Sequence, residues 1–286
     1  MTIGSYDGVH LGHQRIIRRT LAAAAETGSD SVLVTFEPHP RCVLDPANCP
    51  SSITTLKEKL ELVEDLGVGH AVILEFTRRL SELTPAEFMA ELAKGFEVRR
   101  VVSGPDFAFG HKRAGTADWL RSNGYDVDVV PVLDVGGEEV RSSEIRRHVT
   151  AGEIERANQL LGRSFAIAGL VEHGEQVGRT LGFPTVNLAV EPHKLVPANG
   201  VYAGWALAAG AEHMCALSVG YRPTFGGRQL RVEGHLLDFE GDLYQQWVEL
   251  RFVCRIRDSQ IKFDTPEELS AQIAADVEAT RRALRD

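Results

Sequence analysis

The sequence predicts two domains: an α/β domain built on a parallel sheet, then an antiparallel β-barrel followed by a terminal helix. Through residues 1–161, short β-branched runs alternate with longer helical stretches, an order typical of a parallel sheet covered by helices on both faces. From residue 162 onward, successive strands are separated by glycine and proline, which favours an antiparallel barrel. The 286 residues suffice for two domains of ordinary size. We therefore predict domains over residues 1–161 and 162–286.

The predicted α/β domain contains clear strands and helices in alternation. The β-branched runs indicate strands near residues 31–36, 71–74, 100–103 and 127–130. The stretches between them predict helices over residues 13–26, 56–66 and 85–96. The last helix has a complete start signal, because Thr84 can cap it, Pro85 suits its first position and Glu87 completes a capping box. In sheets of this kind, ligands bind beyond the carboxyl ends of the strands.

The predicted barrel lies between helices. Two helices are predicted before it, over residues 143–151 and 154–161. Strands are predicted over residues 165–172, 201–207, 216–220, 229–239 and 248–256. A terminal helix is predicted over residues 266–284, because Thr265 and Glu268 form a second capping box and apolar residues recur at helical spacing.

Composition and charge narrow the class of protein. Hydrophobic residues make up 43% and charged residues 25%, a mixture typical of a soluble globular protein, and no apolar run approaches the ~18 residues that a membrane span needs. The N-terminal residues lack the basic and apolar regions of a secretory signal. The net charge of −9 comes without any basic block, which argues against a nucleic-acid partner. We expect a cytoplasmic protein, a monomer or weak homo-oligomer, that binds small molecules and no membrane.

The cysteines do not suggest a metal site or a disulfide framework. Cys42, Cys49, Cys215 and Cys254 are widely spaced, and no two of them form a C-x-x-C pair. A structural zinc site typically needs such paired spacing, and small disulfide scaffolds need a higher cysteine density. We therefore expect four reduced thiols.

The first candidate site follows the opening strand. Residues 4–14 run through His10, Gly12 and His13 into a helix, so that two histidines three residues apart project to nearly the same side. A helix N-terminus presents unpaired N–H groups and a partial positive charge, both of which favour phosphate. Two imidazoles at this position can donate hydrogen bonds to a phosphoryl group under attack, and Gly12 leaves room for close approach. The alternative is a pair of surface histidines on a loop.

These residues belong to a longer series of motifs. Residues 3–14 resemble the opening motif of the bacterial bifunctional riboflavin kinase/FAD synthetases, and three further blocks, at 35–40, 104–110 and 142–146, follow in that family's order. The resemblance implies a Rossmann-like nucleotidyltransferase domain followed by a riboflavin kinase barrel. It also implies ATP as co-substrate and riboflavin, FMN and FAD as substrate, intermediate and product.

The resemblance assigns roles within the first domain. It implies that His10 and His13 act on the ATP phosphates and that the ligand-binding residues are Gly4, Asp7, Gly12, Asp106, Phe107, Phe109, Ser142, Ser143 and Arg146. In this scheme the 106–110 loop meets the flavin, while residues 142–146 close on the phosphates. Two alternatives stay open: Phe107 and Phe109 as ordinary core residues, and the two serines as a helix cap.

The chain also departs from the family pattern. Tyr6 stands where the family usually has Phe, Glu144 where it generally has Thr, and Ala108 where a polar or basic residue is common. The family normally carries a few tens of residues before the opening motif, whereas three residues precede Gly4 here. Since that first strand should be central, we expect its shortening to weaken the sheet where the phosphate loop is anchored.

The second candidate site lies in the predicted barrel. A glycine-rich connection with Gly174, Gly178 and Gly182 leads to Thr185 and Asn187, which face the same way on an extended segment. A hydroxyl and an amide oxygen side by side suit Mg²⁺. The sequence alone also allows a simple turn entering a strand. The segment resembles the riboflavin kinase motif, which makes Thr185 and Asn187 the magnesium and ATP residues.

A kinase that phosphorylates an alcohol also needs a base beside the hydroxyl. Residues 232–239 resemble the family strand that carries this carboxylate, which assigns the role to Glu233; without the resemblance, Glu233 would suit a solvated strand face. The sequence therefore predicts an enzyme that phosphorylates riboflavin and then adenylylates FMN. The alternatives are a riboflavin kinase with an inactive, shortened first domain, and a non-catalytic flavin or nucleotide sensor.

Overall fold

The computed structural model describes residues 1–173, 181–224, 227–258 and 265–285, with the side chains of 222–229 left out. The chain forms two compact units, Met1–Ser142 and Ser143–Asp286. The first is an α/β unit and the second a β-barrel unit, which confirms the predicted fold classes. Among the residues described, no helix is both long and apolar enough to cross a membrane.

A parallel sheet forms the centre of the first unit, and its strands are β1 (Thr2–Ile3), β2 (Val32–Glu37), β3 (His70–Glu75), β4 (Arg100–Ser103) and β7 (Asp126–Val129). Their order in the sheet is β3-β2-β1-β4-β7, with parallel pairing throughout. Two short strands, β5 (Ala108–Phe109) and β6 (Gly115–Thr116), form a separate antiparallel pair. The predicted strands are confirmed within one residue at each end, and β1 is central as expected.

Helices connect these strands with start signals that the sequence largely shows. They are α1 (Leu11–Thr27), α2 (Pro40–Leu44), α3 (Leu56–Asp65), α4 (Arg78–Glu82), α5 (Pro85–Leu92) and α6 (Ala117–Ser122). The predicted capping box at α5 is present, with the Thr84 hydroxyl and the Glu87 carboxylate each bound to the other residue's backbone N–H. This helix ends at Leu92, before the predicted residue 96, and Gly95 lies just beyond its end.

The central strand β1 is short but firmly attached. The backbone N–H of Val102 donates to the Met1 carbonyl at 2.9 Å, and the N–H of Gly4 donates to the Val34 carbonyl at 3.0 Å. The Thr2 hydroxyl donates to the Val102 carbonyl at 2.7 Å and is also hydrogen-bonded to the Tyr6 hydroxyl. Tyr6 is buried, and burial raises the pKa of its phenol. The Tyr6 hydroxyl, which a Phe at this position would lack, therefore ties the loop that follows β1 to this strand.

The cysteine prediction is wrong for one pair. Cys42 and Cys49 form a disulfide, with their Cα atoms 4.3 Å apart. Cys42 lies in α2, and the short 3₁₀ helix Pro46–Asn48 turns the chain back so that Cys49 meets it. No motif in the sequence predicts this turn. Cys215 and Cys254 are free thiols, as expected.

Two helices follow the α/β sheet and precede the barrel in the order of the chain. They are α7 (Ser142–Ala151) and α8 (Ile154–Leu161), and nearly all of both falls in the second unit, whereas the predicted boundary follows residue 161. Asn158 on α8 shows why it goes with the barrel. Its amide group donates to the Phe252 carbonyl at 2.9 Å and accepts from the Phe165 N–H at 2.7 Å, so the end of α8 is joined to two barrel strands.

The second unit contains a closed antiparallel barrel, whose strands are β8 (Phe165–Glu172), β9 (Val186–Leu188), β10 (Gly200–Ala208), β11 (Ala211–Thr224), β12 (Gly227–Leu236) and β13 (Trp247–Arg257). Their order around the barrel is β10-β11-β12-β9-β8-β13. Phe165, Tyr202 and Phe252 are among the largest fully buried side chains and pack ring against ring inside the barrel. The predicted strand over 216–220 is the middle of the longer β11.

The terminal helix α9 (Pro266–Ala283) is attached to the barrel by a buried ion pair. Asp276, with 8% of its side chain exposed, accepts two hydrogen bonds from the Arg257 guanidinium, at 2.8 and 2.7 Å. The Gln272 amide donates to the same carboxylate at 2.9 Å. A carboxylate so enclosed depends on these partners, since removal of one member of a buried pair leaves the other charge uncompensated.

We expect Asp276→Ala to lower the free energy of unfolding of the barrel unit by about 3–5 kcal/mol, because it leaves the half-buried Arg257 without its counter-charge. Urea unfolding followed by circular dichroism measures this loss. The matched control is Glu278→Ala on the same helix, because the Glu278 side chain is 70% exposed and its Oε1 lies 3.8 Å from Arg281 Nε; this change should cost less than about 0.5 kcal/mol. Equal losses in the two variants would contradict the role assigned to the buried pair.

Candidate active sites

The first site is built where β1 leads into α1. His10 caps α1, and its Nδ1 accepts a hydrogen bond from the His13 N–H at 3.2 Å. The two imidazole rings stack with centroids 3.6 Å apart and planes 16° from parallel. Because Nδ1 is the acceptor, a neutral His10 carries its proton on Nε2, the nitrogen that can donate. The predicted juxtaposition of the two histidines at a helix N-terminus is confirmed.

A cavity of about 260 Å³ opens beside these rings. It lies at the carboxyl ends of β1, β4 and β7, where a ligand is expected in a parallel sheet. Of the predicted site residues it brings together His10, Gly12, His13, Asp106 and Ser142. Gly12 fits closely, since a Cβ there would lie 3.1 Å from His10 Cε1 and 3.4 Å from the Val140 carbonyl oxygen. Its lack of a side chain therefore leaves room for the His10 ring itself.

Asp7 shapes the loop that precedes the histidines. Its buried carboxylate accepts hydrogen bonds from the N–H groups of Ile53 and Thr54 at 3.2 and 3.1 Å. The Gly8 N–H in turn donates to the Thr54 hydroxyl at 3.0 Å, and the Ser142 hydroxyl donates to the Asp7 carbonyl at 3.0 Å. These bonds hold residues 7 and 8 from two sides. Asp7 and Gly4, whose N–H pairs with β2, thus support the loop backbone, and their predicted ligand contacts stay predictions.

The 106–110 loop divides its residues between the cavity and the core. The Asp106 carboxylate accepts from Arg141 at 2.7 Å, and both residues line the cavity. Phe109 is 7% exposed and packs against Phe88 and Trp119 in the hydrophobic core, the alternative that the sequence left open. Phe107 is half-buried, and its ring stacks on Phe109 with centroids 5.4 Å apart. Of the two aromatic rings, only that of Phe107 is accessible enough to contact a ligand.

The remaining predicted phosphate residues lie on α7. Ser142 begins the helix, while Ser143 is exposed and Arg146 half-buried in the second unit, so their contact with ATP stays a prediction. Glu144, which replaces the family's Thr, accepts a hydrogen bond from Arg147 at 2.9 Å. The two residues are three positions apart on the same helix, so Glu144 has a partner within α7.

The second site lies on the barrel, around β9 and the residue that precedes it. Thr185 and Asn187 line a cavity of about 390 Å³ together with Glu240, Asp242 and Tyr244. Gly182 has a φ of 87°, a left-handed conformation that glycine adopts without strain. Gly174 and Gly178 lie outside the described residues. The predicted pairing of a hydroxyl and an amide on one side of an extended segment is thus present, together with two carboxylates.

Glu233 stands directly across from Asn187, because the antiparallel register of β12 and β9 makes these two residues partners. Arg231, two residues before Glu233 on β12, reaches both of them. Its Nη1 donates to Asn187 Oδ1 at 3.2 Å and lies 3.7 Å from Glu233 Oε1. The sequence analysis missed Arg231, although the two-residue period of a strand places it on the same face as Glu233.

The donors of the second site fit a magnesium ion. Thr185 and Asn187 offer neutral oxygens, and Mg²⁺ usually takes few protein oxygens, with waters and substrate phosphates as its other ligands. Within the described ranges no cluster of three or more His, Cys, Asp or Glu side chains could hold a metal ion on its own. Such a site would therefore depend on the nucleotide's phosphates to complete the coordination.

Comparisons with known proteins cover both units. A family model described as FAD synthetase matches residues 1–144, and one described as riboflavin kinase matches residues 161–284. A protein of Listeria monocytogenes named bifunctional riboflavin kinase/FMN adenylyltransferase is 36% identical over 286 residues, which cover 98% of this chain and 91% of the relative. Relatives of the same name from Bacillus subtilis and Escherichia coli are 35% and 34% identical, and each alignment covers 96% of this chain. The chain belongs to the family of bifunctional riboflavin kinase/FMN adenylyltransferases.

The fold of the chain is also similar to that of a solved structure. A Streptococcus pneumoniae protein titled a macrolide-efflux protein matches with a TM-score of 0.90 and 32% identity, covering 98% of this chain and 93% of that one. The first family model ends at residue 144, within α7, and the second begins at residue 161, the last residue of α8, so that residues 145–160 lie between the two matches. The two candidate sites thus fall one in each matched segment.

Proposed function

We propose that the barrel unit transfers the γ-phosphate of ATP to the 5′-hydroxyl of riboflavin, and that the α/β unit joins the resulting FMN to the AMP of a second ATP. The observation that carries this proposal is a cavity in each of the two matched segments, lined by residues that the resemblance assigns to ATP. One site has paired imidazoles at a helix N-terminus, and the other has Asn187 and Glu233 opposite each other on neighbouring strands, with Thr185 just before the first of them.

In the kinase reaction, the riboflavin hydroxyl must lose a proton as its oxygen attacks the γ-phosphorus. Glu233 accepts this proton, and ADP leaves from the opposite side of the phosphoryl group. Thr185 and Asn187 hold the nucleotide end of the site, with Mg²⁺ as the cofactor. A bound Mg²⁺ supplies positive charge that neutralises the phosphate oxygens. Gly174, Gly178 and Gly182 are proposed to let the backbone pass close to the phosphates.

In the adenylyl transfer, the nucleophile is a phosphate oxygen of FMN, which is already an anion at neutral pH. No base is needed, so His10 and His13 serve as hydrogen-bond donors to the α-phosphoryl oxygens while pyrophosphate leaves. Donors fixed in place before the reaction stabilise the charge that develops in the transition state, usually the largest catalytic effect. Ser142, Ser143 and Arg146 are proposed to bind the departing phosphates, and Asp106 and Phe107 the flavin end of FMN.

The structure favours this proposal over the two alternatives raised by the sequence. A kinase with an inactive first domain would not need the ordered histidine pair, which persists beside a two-residue central strand. A sensor without turnover would not need a carboxylate such as Glu233 opposite Asn187. The partners proposed are small molecules, with no nucleic acid and no membrane, for a cytoplasmic monomer or weak homo-oligomer.

The test is to incubate the purified protein with riboflavin, ATP and MgCl₂ and to separate the flavins by chromatography. FMN should appear first and FAD should follow, whereas a reaction started from FMN should give FAD with pyrophosphate. Omitting Mg²⁺ with EDTA present should stop both products. FMN without FAD, from either starting flavin, would leave only the kinase half of the proposal.

A further inference from the structure

The face of the barrel around Glu233 contains a cation that the proposed roles do not use. On β12, Val232 and Gly234 point into the barrel, so Arg231 and Glu233 share its outer face. The register places Asn187 opposite Glu233 on one side, and Gly220 of β11 opposite Arg231 on the other. Arg231 therefore stands at the centre of this part of the sheet.

The Arg231 guanidinium joins the two strands that carry the kinase residues. Nη1 is 3.2 Å from Asn187 Oδ1 and 3.7 Å from Glu233 Oε1, so one nitrogen serves both partners. The Arg231 and Glu233 side chains are 25% and 30% exposed, which places the pair partly away from solvent. In such surroundings a cation restrains a neighbouring carboxylate more strongly than it would in open water.

The contacts of the Arg231 guanidinium point inward to its two neighbours. Among the described residues, no acceptor bonds the Nε of Arg231, and this nitrogen is buried, so it cannot reach a substrate. The contacts that can act on the site are those of Nη1 with the Asn187 amide oxygen and the Glu233 carboxylate. Any effect of Arg231 on the reaction is therefore exerted through these two residues.

We propose that Arg231 is a positioning residue of the kinase reaction, one that holds the Glu233 carboxylate and the Asn187 amide in a single geometry across β12 and β9. This inference rests on the roles proposed above for Glu233 and Asn187. A base must lie within hydrogen-bond reach of its proton, and a misplacement of about 1 Å can cost a factor of about 10² in rate. A partly exposed ion pair contributes little to stability, so the effect belongs mainly to catalysis.

We expect Arg231→Met to lower kcat for riboflavin phosphorylation about 10–100-fold, with the KM for riboflavin within about twofold of the wild type. Arg231→Lys should retain an intermediate kcat, because an ammonium keeps the charge but reaches the two partners less well than the fork. The conversion of FMN to FAD should be unchanged in both variants, since its site lies in the other unit. Arg251→Met is the matched control, as Arg251 on β13 is paired with Glu249 and Glu212 instead.

A double-mutant cycle with Glu233→Gln decides whether Arg231 acts through the carboxylate. If it does, adding Arg231→Met to Glu233→Gln should lower the remaining kcat by less than about threefold. The inference would be overturned if the fold-losses in kcat of the two single variants multiplied in the double variant. It would also be overturned if Arg231→Met left kcat unchanged, or if Arg251→Met lowered kcat equally. Should Glu233→Gln itself leave the kinase intact, the proposed role of Glu233 fails instead. Urea unfolding of each variant separates these outcomes from a loss of folded protein.

Discussion

We expect His13→Ala to lower kcat/KM for the conversion of FMN to FAD by about 10²–10³-fold, the usual cost of one fixed donor to a transition state, while riboflavin phosphorylation continues. His13 lies in the first turn of α1 and stacks on His10, so its loss removes one donor and also the ring that holds His10 in place. Riboflavin assays of this variant should therefore accumulate FMN.

Two further variants make this result specific to the imidazole. His70→Ala is the matched control, because His70 lies on the edge strand β3 of the same unit, its side chain is 62% exposed, and its Nε2 lies 3.6 Å from the exposed Asp30. It should convert FMN to FAD at the wild-type rate. His13→Gln keeps a side-chain N–H donor and should fall between the wild type and His13→Ala. If His13→Ala lost FMN and FAD formation equally, the division of labour between two sites would be wrong.

The histidine pair shows what local sequence can predict. The helix start follows from the hydrophobic period of the residues after it, and two histidines three residues apart across a helix start project to nearly the same side. The roles of Asp7 and Phe109 could not be obtained in this way. Asp7 binds residues 53 and 54 and Phe109 packs on Phe88, and such partners are set by the folded chain.

The disulfide and β1 illustrate the same limit. Cys42 and Cys49 meet because the chain turns at residues 46–48, and a strand of two residues is too short to have a detectable period. Arg231 differs, since it stands two residues before Glu233 and could have been found from the strand period alone. What the sequence does not contain is the register of β9 on β12, which makes Arg231 and Asn187 neighbours.

Glu233→Gln should have the largest effect on the other half of the activity, with kcat for riboflavin phosphorylation reduced about 10²–10⁴-fold. Glutamine keeps the shape of the side chain and can still meet Arg231, but it cannot accept the hydroxyl proton. Because the substitution is isosteric on a half-buried strand face, folding and the adenylyl transfer from FMN should be preserved. Rapid-quench assays with riboflavin and ATP, followed by separation of the flavins, measure the loss directly.

The control for this variant is Glu249→Gln, which makes the same change on β13. The Glu249 side chain is 26% exposed and bound to Arg251 at 2.5 Å, so it matches Glu233 in burial and in having an arginine partner. Loss of kinase activity in Glu233→Gln alone would tie the proton transfer to the carboxylate opposite Asn187. Similar losses in both variants would show instead that the barrel needs its strand-face ion pairs for folding, and the base would have to be sought among the carboxylates of the 239–244 segment, Glu240 and Asp242, which line the same cavity as Thr185.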